Sequence, residues 1–136
     1  QFNQGFETVE YLAASLLDMD YHTTPSVADV ASFEKASMDK IGLIPEIFPR
    51  YRSTYFSHIF SGGYSAGYYV YIWAEVLDSD AFNAFKESGD LFNPELAAKF
   101  RELLTNSGSD EGMAIYRKFR GKEPQITPLL IKRGLD

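Results

Sequence analysis

The sequence predicts an all-helical fold, and three observations predict it. Apolar residues recur at helical spacing in most segments, and proline, glycine and capping residues punctuate the gaps between those segments. No stretch keeps the period-two alternation of a half-buried strand. The segment YVYIW is the one ambiguity, and the apolar pattern continuing through Ala74, Glu75, Val76 and Leu77 resolves it as helix. With 136 residues, 45% of them hydrophobic and 15% aromatic, the chain is long enough to bury a core as a single domain.

The elements follow in order. Phe2, Phe6, Val9, Ala13, Leu16 and Leu17 form a helical stripe that predicts a first helix over 3–19, with Gly5 a weak point. The chain begins at Gln1 without a methionine and the stripe is already under way there, so a piece of something larger is expected. Ser26, with Asp29 three residues on, predicts the N-cap of a second helix ending near Ile41 before Gly42. Its core face is expected to carry Val27, Val30, Ala31, Phe33 or Glu34, Met38 and Ile41. Pro45 and Pro49 bracket a short turn, which leads through Arg50 and Arg52 to the stretch from Tyr55 to Val76.

Beyond that stretch, Asp80 is expected to cap a short helix, AFNAFKES, stopped by Gly89. Asn93, Pro94 and Glu95 give a strong helix start, with Leu96, Phe100, Leu103 and Leu104 on one face and Gly108 beyond the end. A further helix is predicted over 110–120, with Met113, Tyr116 or Ile115 and Phe119 inward and Gly121 as its stop. Thr127 and Pro128 open a last one or two turns, closed by Gly134.

Composition excludes several functions. A formal charge of −6 opposes binding to nucleic acid or to an anionic membrane surface, each of which needs a basic face. No cysteine is present, so there is no disulfide and no thiolate metal site. No signal peptide is apparent and no apolar run reaches the roughly 18 residues of a membrane span, so a cytoplasmic protein is expected.

The stretch YFSHIFSGGYSAGYYVYIWAEV concentrates five tyrosines, a glycine pair and one of the two histidines in 22 residues. It is expected to form a loop bearing His58, a glycine hinge at Gly62 and Gly63, and a helix over 65–77. Helical geometry would then place Tyr64 and Tyr71 on one face, about 10 Å apart along the axis, with Tyr68 between them. A phenol is neutral at pH 7 and donates a hydrogen bond, so such a line suits an oxyanion site. The same spacing also fits a buried aromatic stripe with hydroxyls bonded to the backbone. His58 alone equally fits a structural or surface histidine. A solvated setting is expected for His22; Arg50 and Arg52 could bind a carboxylate, but a solvated or backbone-bonded setting is expected of them; for Asp18, Asp20, Asp78 and Asp80, capping and solvation at helix ends are expected.

No metal site is expected within the chain. His22 and His58 are 36 positions apart and there is no HExxH. There is also no cysteine nucleophile and no GxSxG elbow.

Several blocks nevertheless carry a resemblance. FNQGFETVEYLAASLLDMDYH, HIFSGGYSAGYYVYIWAEVLDSDAF, NPELAAKFRELL, GSDEGMAIYRKFRGKEP and LLIKRGL, in this order, resemble the C-terminal end of the thimet-oligopeptidase family of zinc metallopeptidases. The bacterial peptidyl-dipeptidases look nearest, with oligopeptidase A second. The resemblance covers essentially the whole chain. It implies the C-terminal part of a neurolysin-like, zincin-like helical catalytic domain that hydrolyses short peptides. Zinc would be held by HExxH and a later glutamate, all outside this chain, so the chain alone should be inactive.

By the same resemblance Tyr64 and Tyr71 match the tyrosines that face the zinc and donate to the tetrahedral intermediate. His58 matches an active-site histidine that is not a zinc ligand; Tyr68 and Tyr69 match the motif as well, with a packing or substrate-wall role expected of them. Gly62 and Gly63 match a loop that moves on substrate binding. The implied partners are short peptides and the upstream remainder of the polypeptide, and an apolar patch is expected where that remainder packs. The competing expectation is a non-catalytic helical domain that binds peptides or supports assembly.

Overall fold

The computed structural model describes residues 2–135 and is all helical, with seven α-helices and one short 3-10 turn and no strand among the described residues. The chain divides into two compact units, Gln1–Ile72 and Trp73–Asp136.

In the first unit, α1 (Gln4–Thr23) packs on α2 (Val30–Lys40). Ala13, Leu17 and Met38 are buried together, with Tyr21, Phe33 and Leu43 against them. Burying a leucine such as Leu17 contributes about 2 kcal/mol. A polar seam runs beside this contact, with Ser37 Oγ and Lys40 Nζ donating to the Asp20 carboxylate at 2.7 and 3.0 Å. Asp20 is thus a cross-helix tie, not a solvated helix end. The predicted α1 stripe is wider than its partner helix covers. Ala13 and Leu17 are inward, whereas Phe6, Val9 and Leu16 stay exposed. Val9, Leu12 and Leu16 instead line an apolar cavity of about 400 Å³ with Ile41, Leu43, Ile44 and Ile47.

Asp29 caps α2, its carboxylate accepting from the Ser32 N–H at 2.7 Å, so the helix begins after Ser26 and Val27. Its buried face carries Glu34, Ser37 and Met38, while Val30 and Ile41 are exposed. Glu34 is buried because it has partners: the Ser53 N–H and Oγ donate to one carboxylate oxygen at 2.7 Å each, and Arg52 Nε donates to the other. Arg52 thus binds a carboxylate while its side chain stays 45% exposed. These bonds and the Arg52 charge outweigh burial and hold the Glu34 carboxyl below its usual range, although burial is the largest single influence.

In the second unit, Val70–Glu87 is one continuous helix, α4, whose first turn belongs to the first unit. The expected break at Asp80 is absent. Asp80 lies inside the helix and is fully buried, which removes it from any capping role. Tyr116 Oη donates to it at 2.7 Å and Arg120 Nε at 3.0 Å, so a buried charge is paired where the sequence suggested a cap. α5 (Pro94–Thr105) starts as predicted, with Asn93 Oδ1 accepting from the Glu95 and Leu96 N–H groups at 3.0 Å. α6 (Gly112–Arg120) buries Ile115, Tyr116 and Phe119 and ends at Gly121, whose φ of 74° suits glycine. Tyr116 and Phe119 pack with Ala81 and Ala84 of α4, and Phe100 and Leu103 of α5 close the cluster. A last helix spans Thr127–Arg133.

Candidate functional site

The tyrosine-rich stretch folds differently from its prediction. His58 sits on a four-residue helix, α3 (Ser57–Phe60), and no loop carries it. The chain then reverses tightly, because the Ser57 carbonyl accepts from the Ser61 and Gly62 N–H groups and the His58 carbonyl from Tyr64. A Cβ on Gly62 would stand 2.7 Å from the His58 carbonyl oxygen, so a side chain does not fit there. Gly63 faces open space.

The residues from Ser65 to Tyr69 form turns, and the helix starts only at Val70. Tyr64 and Tyr68 are therefore not on the helix with Tyr71, and the expected helical spacing does not apply to them. Instead the turn folds the Tyr64 ring onto the Tyr71 ring, with centroids 5.2 Å apart. Ala66 makes this possible with a left-handed backbone, φ 55°, which costs a non-glycine residue about 1 kcal/mol.

That conformation is held from α1. The Asp18 carboxylate, fully buried, accepts from the Ala66 N–H through Oδ1 and from the Tyr68 N–H through Oδ2, each at 2.9 Å. His22 Nδ1 lies 2.8 Å from Asp18 Oδ1, on the last turn of α1, so this exposed residue rests its side chain against a carboxylate and stands on a helix, not in a loop. Tyr11 Oη donates to the Tyr68 carbonyl at 2.5 Å and accepts from the Ile72 N–H at 3.3 Å.

The sequence-predicted side chains converge. His58 has ring centroids of Tyr64, Tyr68 and Tyr71 at 6.0, 5.5 and 6.5 Å. Tyr51, which sequence reasoning missed, is nearer still at 4.8 Å, and Phe56 stacks on Tyr51 at 5.2 Å. His58 Nδ1 is buried with no hydrogen-bond partner, which is uncommon for a ring nitrogen. Tyr68 is buried at 3% exposure, whereas Tyr64 and Tyr71 are 37% and 39% exposed and can meet a ligand.

The electrostatics keep the Tyr71 and Tyr68 phenols protonated. Hydrogen bonding with Tyr64, followed by burial, pushes the Tyr71 phenol up to about 12. Burial raises Tyr68 despite the nearby Arg50 charge. At neutral pH the group offers neutral O–H donors beside an imidazole, a set that stabilises a developing oxyanion or grips a peptide carbonyl. Among the described residues no group of three His, Asp or Glu side chains is placed to bind a metal ion.

Residues 1–135 match the family model described as Peptidase family M3. Dipeptidyl carboxypeptidase of Escherichia coli (strain K12) is 44% identical over 140 residues, covering 99% of this chain and 20% of that protein. Oligopeptidase A of Haemophilus influenzae is 53% identical over 81 residues, covering 59% of this chain and 12% of its own length. A probable cytosolic oligopeptidase A of Arabidopsis thaliana is 36% identical over 141 residues, covering 98% and 20%. The chain thus spans about a fifth of the length of the first of these relatives.

Proposed function

Because the chain belongs to peptidase family M3, we propose that it is the C-terminal portion of a zinc metallopeptidase that hydrolyses short peptides and releases dipeptides from their C-termini. The observation that carries this is the apposed, half-exposed pair of Tyr64 and Tyr71 beside His58. The 44% identity to a dipeptidyl carboxypeptidase supports the C-terminal dipeptide product. The exposed apolar face of Phe6, Val9 and Leu16 supports a place within a larger polypeptide.

Tyr64 and Tyr71 donate to the carbonyl oxygen as it gains charge, and the raised Tyr71 value keeps its proton available across the neutral range. His58 and Tyr68 form the adjoining substrate wall. Gly62 and Gly63 allow the tyrosine turn to move when a peptide enters. Among the described residues no group of three His, Asp or Glu side chains could hold zinc, and this proposal puts the metal ligands in the upstream remainder of the polypeptide. A cytoplasmic setting belongs to the same proposal, in keeping with the name of the Arabidopsis relative.

The test is hydrolysis of a short N-blocked peptide by this chain alone and by the polypeptide that contains it, each with zinc and with a chelator. Chelator-sensitive cleavage by the longer polypeptide and none by the chain is expected. Zinc-dependent cleavage by the chain alone would overturn the assignment of the metal ligands, and no cleavage by either would favour a binding domain.

A further inference from the structure

The tyrosine turn has little to hold it from within. Between Tyr64 and Val70 its backbone closes on itself only through the Gly67 N–H to the Tyr64 carbonyl and the Val70 N–H to the Gly67 carbonyl. The N–H groups of Ala66 and Tyr68 both donate to Asp18, at either side of a bond to Gly67. The carbonyl of Tyr68 and the N–H of Ile72 both go to the Tyr11 hydroxyl. Tyr11 and Asp18 are seven residues apart, so they project from one face of α1, two turns from each other. Asp18 grips the turn next to its left-handed residue, and Tyr11 grips it where it becomes helix.

We propose that α1 is the positioning element of the tyrosine turn, with Asp18 and Tyr11 as positioning residues that set the places of Tyr64 and Tyr71. This rests on the assignment of those two tyrosines as transition-state donors. Neither Asp18 nor Tyr11 is a catalytic residue. Both act through the backbone that carries the donors, Asp18 two residues after Tyr64 and Tyr11 on the residue after Tyr71.

The chemistry of the clamp is specific. Each of the two N–H groups meets its own carboxylate oxygen, an arrangement that an amide, with one acceptor oxygen, does not reproduce. An asparagine at position 18 keeps the shape but sets an NH₂ group against one of the two N–H groups. The turn then loses one anchor, the left-handed Ala66 loses its compensation, and Tyr64 drifts relative to Tyr71. Tyr11→Phe keeps the ring stacked on Tyr68, 5.2 Å away, and removes only the hydroxyl.

The experiment uses the peptidase polypeptide containing this chain, with Asp18→Asn, Tyr11→Phe and the double variant Tyr64→Phe with Tyr71→Phe, singly and combined. Asp18→Asn and Tyr11→Phe should each lower kcat by about 10-fold or more while KM changes by less than about threefold, because a small misplacement of a donor acts on the transition state. In the background lacking both hydroxyls the same substitutions should cost little further, since there is no donor left to misplace. If both leave kcat within about twofold of an enzyme that Tyr64→Phe does slow, the proposal fails while the donor assignment stands. An equal loss with and without the tyrosine hydroxyls makes Asp18 and Tyr11 merely structural and also overturns it.

Should the tyrosine hydroxyls prove not to matter for rate, the donor assignment is what fails. Carbon-13 signals of Tyr64 and Tyr71 ring carbons then decide the positioning: altered or broadened signals in Asp18→Asn and Tyr11→Phe uphold it, and unchanged ones overturn it. If Asp18→Asn does not fold, Tyr11→Phe alone carries the same decisions.

Discussion

The rings of Tyr64 and Tyr71 lie 5.2 Å apart although seven residues separate them in sequence, because a turn and not a helix connects them. The contact raises the Tyr71 phenol to about 12, with hydrogen bonding to Tyr64 the largest cause. Replacing Tyr64 by phenylalanine should therefore return Tyr71 toward the ordinary value near ~10. A titration followed by the carbon-13 signal of the Tyr71 ring reads this directly. A Tyr71 step that stays near 12 in Tyr64→Phe would assign the shift to burial instead. The sign for stability follows from the same value: the folded phenol holds its proton more tightly than the unfolded one, so the contribution is complete below pH ~10 and is lost between about 10 and 12.

If the two phenols donate to an oxyanion, each single change to phenylalanine should slow the peptidase polypeptide by about 10²- to 10³-fold, the usual cost of one such donor. The loss should appear in kcat, with KM little changed. Steady-state rates of both variants near those of the unsubstituted enzyme would remove Tyr64 and Tyr71 from the transition state.

Gly62 separates a steric role from a hinge role. A methyl group there would meet the His58 carbonyl oxygen at 2.7 Å, so Gly62→Ala must displace either that carbonyl or the turn. Gly63 has nothing within 4 Å and does not have a positive φ, so Gly63→Ala is tolerated in place. Gly62→Ala should destabilise the first unit by about 1 to 3 kcal/mol, and Gly63→Ala by much less. Urea unfolding of the two variants measures the difference, and equal effects would contradict the contact.

Much of this architecture was legible in the sequence, and what was not has physical reasons. Asn93 and Pro94 announced α5 because a cap and a proline act within one turn, and the glycine stop at 121 is equally local. The helix through Asp80 was broken wrongly because a buried aspartate and a capping aspartate look alike until a partner 40 residues on, Arg120, is known. The site was found as a cluster of residue types, but its geometry was not. Tyr64 and Tyr68 left the helix because Asp18, almost 50 residues earlier, captures the Ala66 and Tyr68 N–H groups that a helix would otherwise use. Tyr51 was missed beside His58, although both lie near the same proline-bounded turn; aromatic contact across a short helix leaves no periodic mark.

In the second unit, the Asp80 carboxylate is fully buried and the Arg120 side chain only 5% exposed. Tyr116 completes the set, and its phenol is pushed up by burial first and by the Asp80 hydrogen bond second. Arg120→Met leaves Asp80 without its cation and should destabilise the chain by about 3 to 5 kcal/mol. Adding Asp80→Leu to Arg120→Met should recover a large part of that loss, because the isolated charge is then gone. Denaturant midpoints of the single and double variants test this. A double variant as unstable as the sum of its parts would place the cost in packing and not in the unpaired charge.

Glu87 gives the acid limb of stability. Arg120 Nη1 and Nη2 donate to its two oxygens at 2.7 and 2.9 Å, and Lys122 adds a further positive charge. These partners, with the Arg120 hydrogen bonds foremost, lower the Glu87 carboxyl from 4.5 to about 2. The folded value lies below the unfolded one, so the contribution is fully present above pH ~4.5 and is lost as the pH falls through about 2. Arg120 stays charged across that window, its own value being raised by Glu87 first. Glu87→Gln should therefore flatten the fall in melting temperature between pH 4.5 and 2 while leaving the neutral-to-alkaline limb parallel to that of the unsubstituted chain. Because the Glu87 side chain is 46% exposed, added salt should shrink the effect in the unsubstituted chain and not in Glu87→Gln. Identical acid limbs for the two proteins would show that the Arg120 pairing does not persist in solution.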